Sequence, residues 1–136
     1  MSLEIQRREK EGITILDLNG RLVVGGASLL REKVNEEVVN NHNQIILNLK
    51  EVDYIDSTGL GTMVICFTTL QKSGGGLKLV NLNRRNIELM LLTKLSTVFQ
   101  IFGADQEAVN SFFPEREIKP FDILSFVKQN KEGEPS

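Results

Sequence analysis

The sequence predicts an α/β fold, a single domain in which about four helices cross over a central β-sheet. Three observations carry that prediction. Apolar runs of strand length recur along the chain, amphipathic stretches of helical period separate them, and glycines or polar clusters mark the boundaries. Strands that alternate with helices are connected by crossovers, which excludes a helix bundle or a β-sandwich. The 136 residues suit one domain and can bury roughly two-thirds of their unfolded surface.

Residues 3–9 and 12–19 read as strands joined by a turn at Gly12, the second alternating apolar and polar positions. Gly20 leads into a short extended piece, 21–24, with Gly25-Gly26 as the turn before the first helix. That helix is expected from about Ala27 to Asn41, because Ala27, Leu30, Val34 and Val38 fall on one stripe. The polar run Asn40–Gln44 ends it, and 44–49 (QIILNL) is a buried strand. Residues 50–55 carry the chain to a second helix ending near Lys72, with Leu60, Met63, Val64, Phe67 and Leu70 on its apolar face. Ser73–Gly76 stop it, since glycine takes the left-handed terminal geometry at no steric cost. A strand at 77–82, a helix at 83–92, a strand at 98–102 and a helix at 104–113 follow, and Pro114 terminates the last.

The domain is therefore assigned to 1–113, and 114–136 to a C-terminal extension. Within it Phe121, Leu124 and Val127 recur at i, i+3 and i+6, and the favoured reading is a core-capping turn followed by a frayed end. The alternative is a short helix at 121–127 that docks on the domain or on a partner. The last six residues are expected to be disordered.

Composition removes several function classes. Sixteen basic and eighteen acidic residues give a net charge of −2, and no Lys/Arg cluster offers the phosphate neutralisation that nucleic-acid binding requires. No apolar run has membrane-spanning length, and Met1–Glu4 lacks a signal-peptide pattern, so a cytoplasmic protein is expected. One cysteine, Cys66, and one histidine, His42, leave no ligand set for a multi-thiolate or two-histidine metal site. No cofactor or metal is expected. Cys66 reads as a buried helical thiol and His42 as a solvated loop residue.

The informative segment is Asp53-Tyr54-Ile55-Asp56-Ser57-Thr58-Gly59-Leu60-Gly61, a strand-to-helix turn. Such turns lie at the carboxyl edge of a parallel sheet, where α/β proteins place their sites. One of Asp56, Ser57 and Thr58 suffices as a helix cap, and three in a row before two glycines exceed that need. A hydroxyl there sits beside unpaired N–H groups and the positive end of the helix dipole, a favourable place for a phosphate. Phosphorylating Ser57 adds about −1.5 to −2 charge beside Asp56 and Asp53. The helix start tolerates that charge, whereas a partner packed over it does not. Gly59 and Gly61 are expected to let a partner's backbone approach closely. The segment has no P-loop lysine after Gly61, no G-x-S-x-G around Ser57 and only G-x-G of a dinucleotide loop. An acyl-transfer serine also needs a base, and His42 lies in a separate loop. No enzymatic activity is expected.

Asp56-Ser57-Thr58-Gly59-Leu60-Gly61 resembles the STAS domain of bacterial anti-sigma factor antagonists. The resemblance extends over about residues 3–112, through Gly20-Arg21-Leu22, Leu30–Val34, Ile46–Leu49, Val52–Ile55 and Gly74–Val80. It implies a STAS-like domain with a mixed central sheet and a partner-switching function. The unphosphorylated antagonist would bind an anti-sigma factor serine kinase and release a sigma factor. Phosphorylation by that kinase would block binding, and a serine phosphatase would reverse it. Carried over, Ser57 is the phosphoacceptor, with Asp56, Thr58 and Asp53 as its neighbours. Gly59, Leu60, Gly61, Arg21 and Val23 belong to the partner-binding surface. Phosphorylatable members usually carry Asp where this chain has Val23. That departure keeps a second reading open, a constitutive STAS scaffold or adaptor in a signalling or lipid-transport complex. A small-molecule or nucleotide sensor is a third.

Overall fold

A computed structural model describes residues 3–119 and 121–132. Five strands form one mixed sheet in the order β1-β2-β3-β4-β5. β1 (Glu4–Lys10) and β2 (Ile13–Leu22) make an antiparallel hairpin. β3 (Gln44–Ile55), β4 (Gly76–Val80) and β5 (Gln100–Phe102) add in parallel. The helices are α1 (Val24–Val39), α2 (Ser57–Lys72), α3 (Arg84–Leu92), α4 (Asp105–Asn110) and α5 (Ile123–Glu132), with a 3₁₀ turn at Leu95–Thr97.

The main core lies where Leu16, Leu18, Leu47, Leu49 and Leu79 of the sheet meet Leu30, Val34, Met63, Cys66, Leu70, Ile87 and Met90 of α1, α2 and α3. Along β2 the opposite set, Ile13 and Ile15, joins Ile46, Val80 and Phe102 in a second cluster covered by Ala108 and Val109 of α4. That two-sided burial explains why 44–49 reads as a continuous apolar run.

The expected elements are present, with shifted ends. The extended piece assigned to 21–24 is divided: Arg21 and Leu22 close β2, Val23 caps α1, and Val24 begins it. Gly25 and Gly26 are therefore inside the first turn of α1 rather than a turn before it. A Cβ on Gly26 would lie 2.8 Å from both the Arg21 carbonyl oxygen and Leu3 Cβ. The β-branched pair Val23-Val24 favours a strand locally, and this packing overrides it. β3 continues through Ile55 rather than stopping at Leu49. Its pairing with β2 shifts register between Asp17 and Asn19 and between Gly20 and Arg21. Gly20, at φ 125°, accommodates this irregularity. α4 ends at Asn110, short of Phe113, and β5 has only three residues.

Beyond α4 the chain folds back on the domain. Arg116 pairs with Glu11 of the β1–β2 turn at 2.7 Å and lies 4.1 Å from the Phe113 ring centroid. The Phe121 N–H donates to the Ile101 carbonyl at 3.2 Å. Phe121, Ile123, Phe126 and Val127 pack on the main core, while Leu124 is exposed. The favoured core-capping turn is corrected: the alternative helix is present as α5, which starts two residues after 121 and runs to Glu132. Of the six terminal residues expected to be disordered, 131 and 132 belong to α5 and the other four lie outside the described residues.

Candidate functional site

β3 delivers Asp56 to the carboxyl edge of the sheet in an extended conformation. Its carboxylate accepts the Gly59 N–H at 2.8 Å, and its carbonyl accepts the Leu60 N–H at 2.9 Å. Asp56 is thus the cap of α2, and its backbone N–H donates to the Leu22 carbonyl at 3.3 Å. Ser57 and Thr58 occupy the first two helical positions, both exposed. Cap and hydroxyl functions fall on different residues, so the Ser57 hydroxyl is not needed to hold the helix.

The two glycines face opposite ways. A Cβ on Gly59 would sit 2.1 Å from the Leu22 carbonyl oxygen, 3.0 Å from its carbon and 3.1 Å from Ile55 Cγ2. Gly59 is buried, so its bare face serves contact between α2 and β2. The expectation that it opens the helix to a partner's backbone is corrected here. Gly61 is exposed, and a Cβ there would meet nothing within 4 Å. Leu60 is half-buried against the core.

Gly59 draws the β2–α1 junction against the first turn of α2. Val23 caps α1 through its backbone alone: its carbonyl accepts the Ala27 N–H at 2.7 Å, and no side chain caps that helix. The first turn of α1 carries no acidic residue. Arg21 stacks its guanidinium 5.0 Å from the Tyr54 ring centroid. Asp53 is exposed near the end of β3.

α3 completes the surroundings. The Asn83 carboxamide oxygen accepts the Asn86 N–H at 2.8 Å, capping α3. The amide groups of Asn83 and Asn86 both donate to the Val52 carbonyl, at 3.1 and 3.0 Å. These bonds tie α3 to β3 just ahead of Asp56. A groove of about 220 Å³ runs between them, lined by Tyr54, Ile55, Leu89 and Leu92 with Arg85 and Glu88. Leu92 is 83% exposed and Val24 65%. The sequence reading did not single out Tyr54, Leu89 or Leu92. The available signal was Leu92, which falls off the Ile87–Met90 stripe.

His42 lies in the loop between α1 and β3 with its ring partly exposed, and it also joins a cluster of charged side chains at the opposite edge of the sheet. Its Nδ1 lies 3.0 Å from Glu37 Oε1 and 3.1 Å from Arg7 Nη2. Glu37 also accepts from Arg7 Nε at 2.8 Å, with Lys33 at 3.7 Å. Burial pushes the Glu37 carboxyl up, but the Arg7 hydrogen bond and charge, with His42 and Lys33, hold it below the usual range. Twelve residues of β3 separate this cluster from Ser57, about 40 Å at strand rise, so His42 cannot serve Ser57 as a base. Cys66 is buried, and burial pushes its thiol up to about 11. Among the described residues no group of three or more His, Cys, Asp or Glu side chains has metal-binding geometry. No helix among them is long and apolar enough to cross a membrane.

A hairpin-led mixed sheet, with hydroxyls on a capped helix start at its carboxyl edge, makes up a small α/β domain. The chain belongs to the STAS domain family, whose sequence profile matches residues 4–108. It is 33% identical over 109 residues to the anti-sigma-B factor antagonist of Bacillus subtilis strain 168, covering 80% of this chain and 99% of that protein. The crystal structure of Thermotoga maritima tm1081 superposes with a TM-score of 0.75 at 28% identity, over 79% of this chain and 93% of that one. SpoIIAA, the Bacillus cell fate determinant solved in its phosphorylated form, shares the fold. Its TM-score is 0.62 at 18% identity, over 79% of this chain and 98% of that one.

Proposed function

We propose that this protein is an anti-sigma factor antagonist that acts in the cytoplasm by partner switching. In its unphosphorylated form it binds an anti-sigma factor serine kinase and frees a sigma factor. The kinase phosphorylates Ser57, which ends binding, and a serine phosphatase restores it. The protein has no catalysis of its own. The carrying observation is that Ser57 is exposed at the first position of α2, two residues after Ile55 of the groove, while Asp56 alone caps the helix.

The physics of the switch is local. A phosphate at Ser57 is tolerated by the free protein, because it stays in water at the positive end of α2. In a complex the same charge is removed from water against a partner's surface, at a cost of several kcal/mol unless a cation meets it. Asp56 and Asp53 add negative charge nearby. Arg21, Val23, Leu60, Gly61 and Thr58 complete the contact surface, with Gly61 allowing close approach. The curated relatives named as antagonists support this role.

The test combines intact mass with binding. The protein is incubated with ATP and each anti-sigma-type kinase of its host, beside a Ser57→Ala control. One phosphate on Ser57 is expected, absent from the control, and Ser57→Asp should weaken kinase binding at least tenfold (about 1.4 kcal/mol) with unfolding unchanged. Equal binding by wild type and Ser57→Asp would refute the switch.

Val23 favours a second reading. Without an acid at the start of α1, the domain would serve as a constitutive scaffold or adaptor with Ser57 unmodified. Absence of phosphate with every kinase, together with loss of assembly on deleting 121–127, would select it.

A further inference from the structure

We propose that the cavity between the C-terminal segment and the carboxyl ends of β4 and β5 binds a small amphipathic carboxylate, an apolar body carrying one negative charge. This cavity of about 330 Å³ lies apart from the groove of Tyr54 and Leu89, and its lining includes Leu82, Ile87, Ile101, Phe121, Phe126 and Lys50. Its size falls in the range of small-molecule sites. Its place, at the carboxyl edge of parallel strands, is where open α/β sheets hold ligands.

The walls define the ligand. Leu82, Ile87 and Ile101 come from the domain, whereas Phe121 and Phe126 come from a segment beyond the family match at 4–108. The two rings meet with centroids 5.5 Å apart, and Phe121 Cδ1 would lie 3.2 Å from a Cβ on Gly103. The aromatic side of the cavity is thus seated on the end of β5 and supplied by the extension. Asn81 also borders the space, but its amide group already donates to Asn48 at 3.1 Å and Asp105 at 3.3 Å. Lys50 is the one cationic side chain among the described lining residues, and it pairs with no carboxylate among the described residues. Apolar side chains with one cationic residue, Lys50, in the lining favour an apolar molecule ending in a single anion, although Lys50 also borders the adjacent cleft of Glu4, Asp17 and Glu51. A cationic or doubly charged ligand lacks a partner there. Binding would bridge Lys50 of β3 to Phe121 and Phe126, so occupancy would hold the C-terminal segment down.

The test uses the full chain with sodium decanoate as probe, followed by ¹H–¹⁵N spectra. Saturable shifts are expected at the amides of Leu82, Ile87, Ile101 and Phe121, with hydrogen exchange in 121–127 slowed by the probe. Lys50→Met should weaken decanoate binding about tenfold, and decyltrimethylammonium should not shift these amides. Lys50 is exposed, so the variant is expected to fold; an unchanged spectrum outside the cavity verifies this, and Lys50→Gln is the substitute. No saturable shift at millimolar decanoate, shifts centred on Tyr54 and Leu89 instead, or equal binding by the lysine variant or the cationic probe would each overturn the assignment. None of these readouts depends on Ser57 or its kinase.

Discussion

Gly59→Ala and Gly61→Ala place one methyl group on the same helix, two residues apart, and should move stability in opposite directions. At Gly59 the added Cβ lies 2.1 Å from the Leu22 carbonyl oxygen, against an ordinary contact of 3.4 Å or more. Relief therefore takes about 1.3 Å of movement between α2 and β2. The obstructing atom is backbone inside a sheet, so no rotamer change provides it. Overpacking of this kind costs about 1–3 kcal/mol, and the Asp56 N–H bond to Leu22, already 3.3 Å long, would be lost for about another 1 kcal/mol. Alanine's helix preference returns up to about 1 kcal/mol. The net destabilisation is about 1–3 kcal/mol, which for a chain of this length lowers Tm by about 4–10 °C. At Gly61 nothing stands within 4 Å, so only the preference remains and the variant should gain about 0.5–1 kcal/mol. Urea and thermal unfolding followed by circular dichroism read both. If Gly59→Ala lies within 0.5 kcal/mol of wild type, or both variants shift the same way, the inward assignment of Gly59 is wrong. Gly61→Ala carries a second readout: weaker kinase binding despite higher stability would place a partner's backbone against that face.

Other expectations follow from the same geometry. Glu37 is held below the usual carboxylate range by Arg7, with burial opposing. Its contribution is therefore complete above the unfolded pKa of about 4.3 and is lost as pH falls through the lower folded value. Glu37→Gln should destabilise by about 2–3 kcal/mol at pH 7 and flatten the acid limb of a stability–pH curve, and an unchanged limb counts against the cluster. Cys66, raised to about 11 by burial, should resist iodoacetamide at pH 8 in native buffer and react fully in urea; native labelling at the denatured rate would contradict its burial. Asp56→Asn should retain the cap whereas Asp56→Ala loses about 1 kcal/mol, and equal stabilities would mean that the bond to Gly59 N–H contributes nothing.

The sequence made the order of elements legible, because period and turn residues are local signals. It revealed less about where elements end. Val23-Val24 reads as strand and Gly25-Gly26 as turn until Leu3 and Arg21 are seen packed against Gly26. Lys50–Ile55 carries too many polar residues to read as a buried strand, and it continues β3 through pairing with the end of β2, with only Val52 and Ile55 buried. The ion cluster around buried Glu37 has no local signal, because Glu37 falls off the apolar stripe of α1 and its partners Arg7 and His42 lie 30 and 5 residues away. At the site, Asp56, Ser57 and Thr58 stood out because a triple of capping residues is locally redundant. Gly59's inward role did not, since glycine presents the same letter whether it faces a partner or its own sheet. The groove of Tyr54, Leu89 and Leu92 was equally hidden: it forms only when Val52 accepts from both Asn83 and Asn86 and draws α3 to β3.

These contacts divide α2 between two functions along its length. Gly59, Met63, Cys66 and Leu70 face the core, and all are buried. Ser57, Gly61, Ile65 and Thr68 follow at intervals of three and four on the opposite side, all exposed. Nothing on the outer stripe reaches the core, because Asp56 closes the helix start through its own carboxylate and backbone. A charge placed on Ser57 therefore has no lever on the fold: the helix stays capped, and its dipole favours the charge. The energetic consequence appears only when another surface covers the stripe and removes that charge from water. Under the proposed function, such a site would change which partner is bound while leaving its own structure unaltered. A domain of this size, with one main core and little stability to spare, would be well served by that separation.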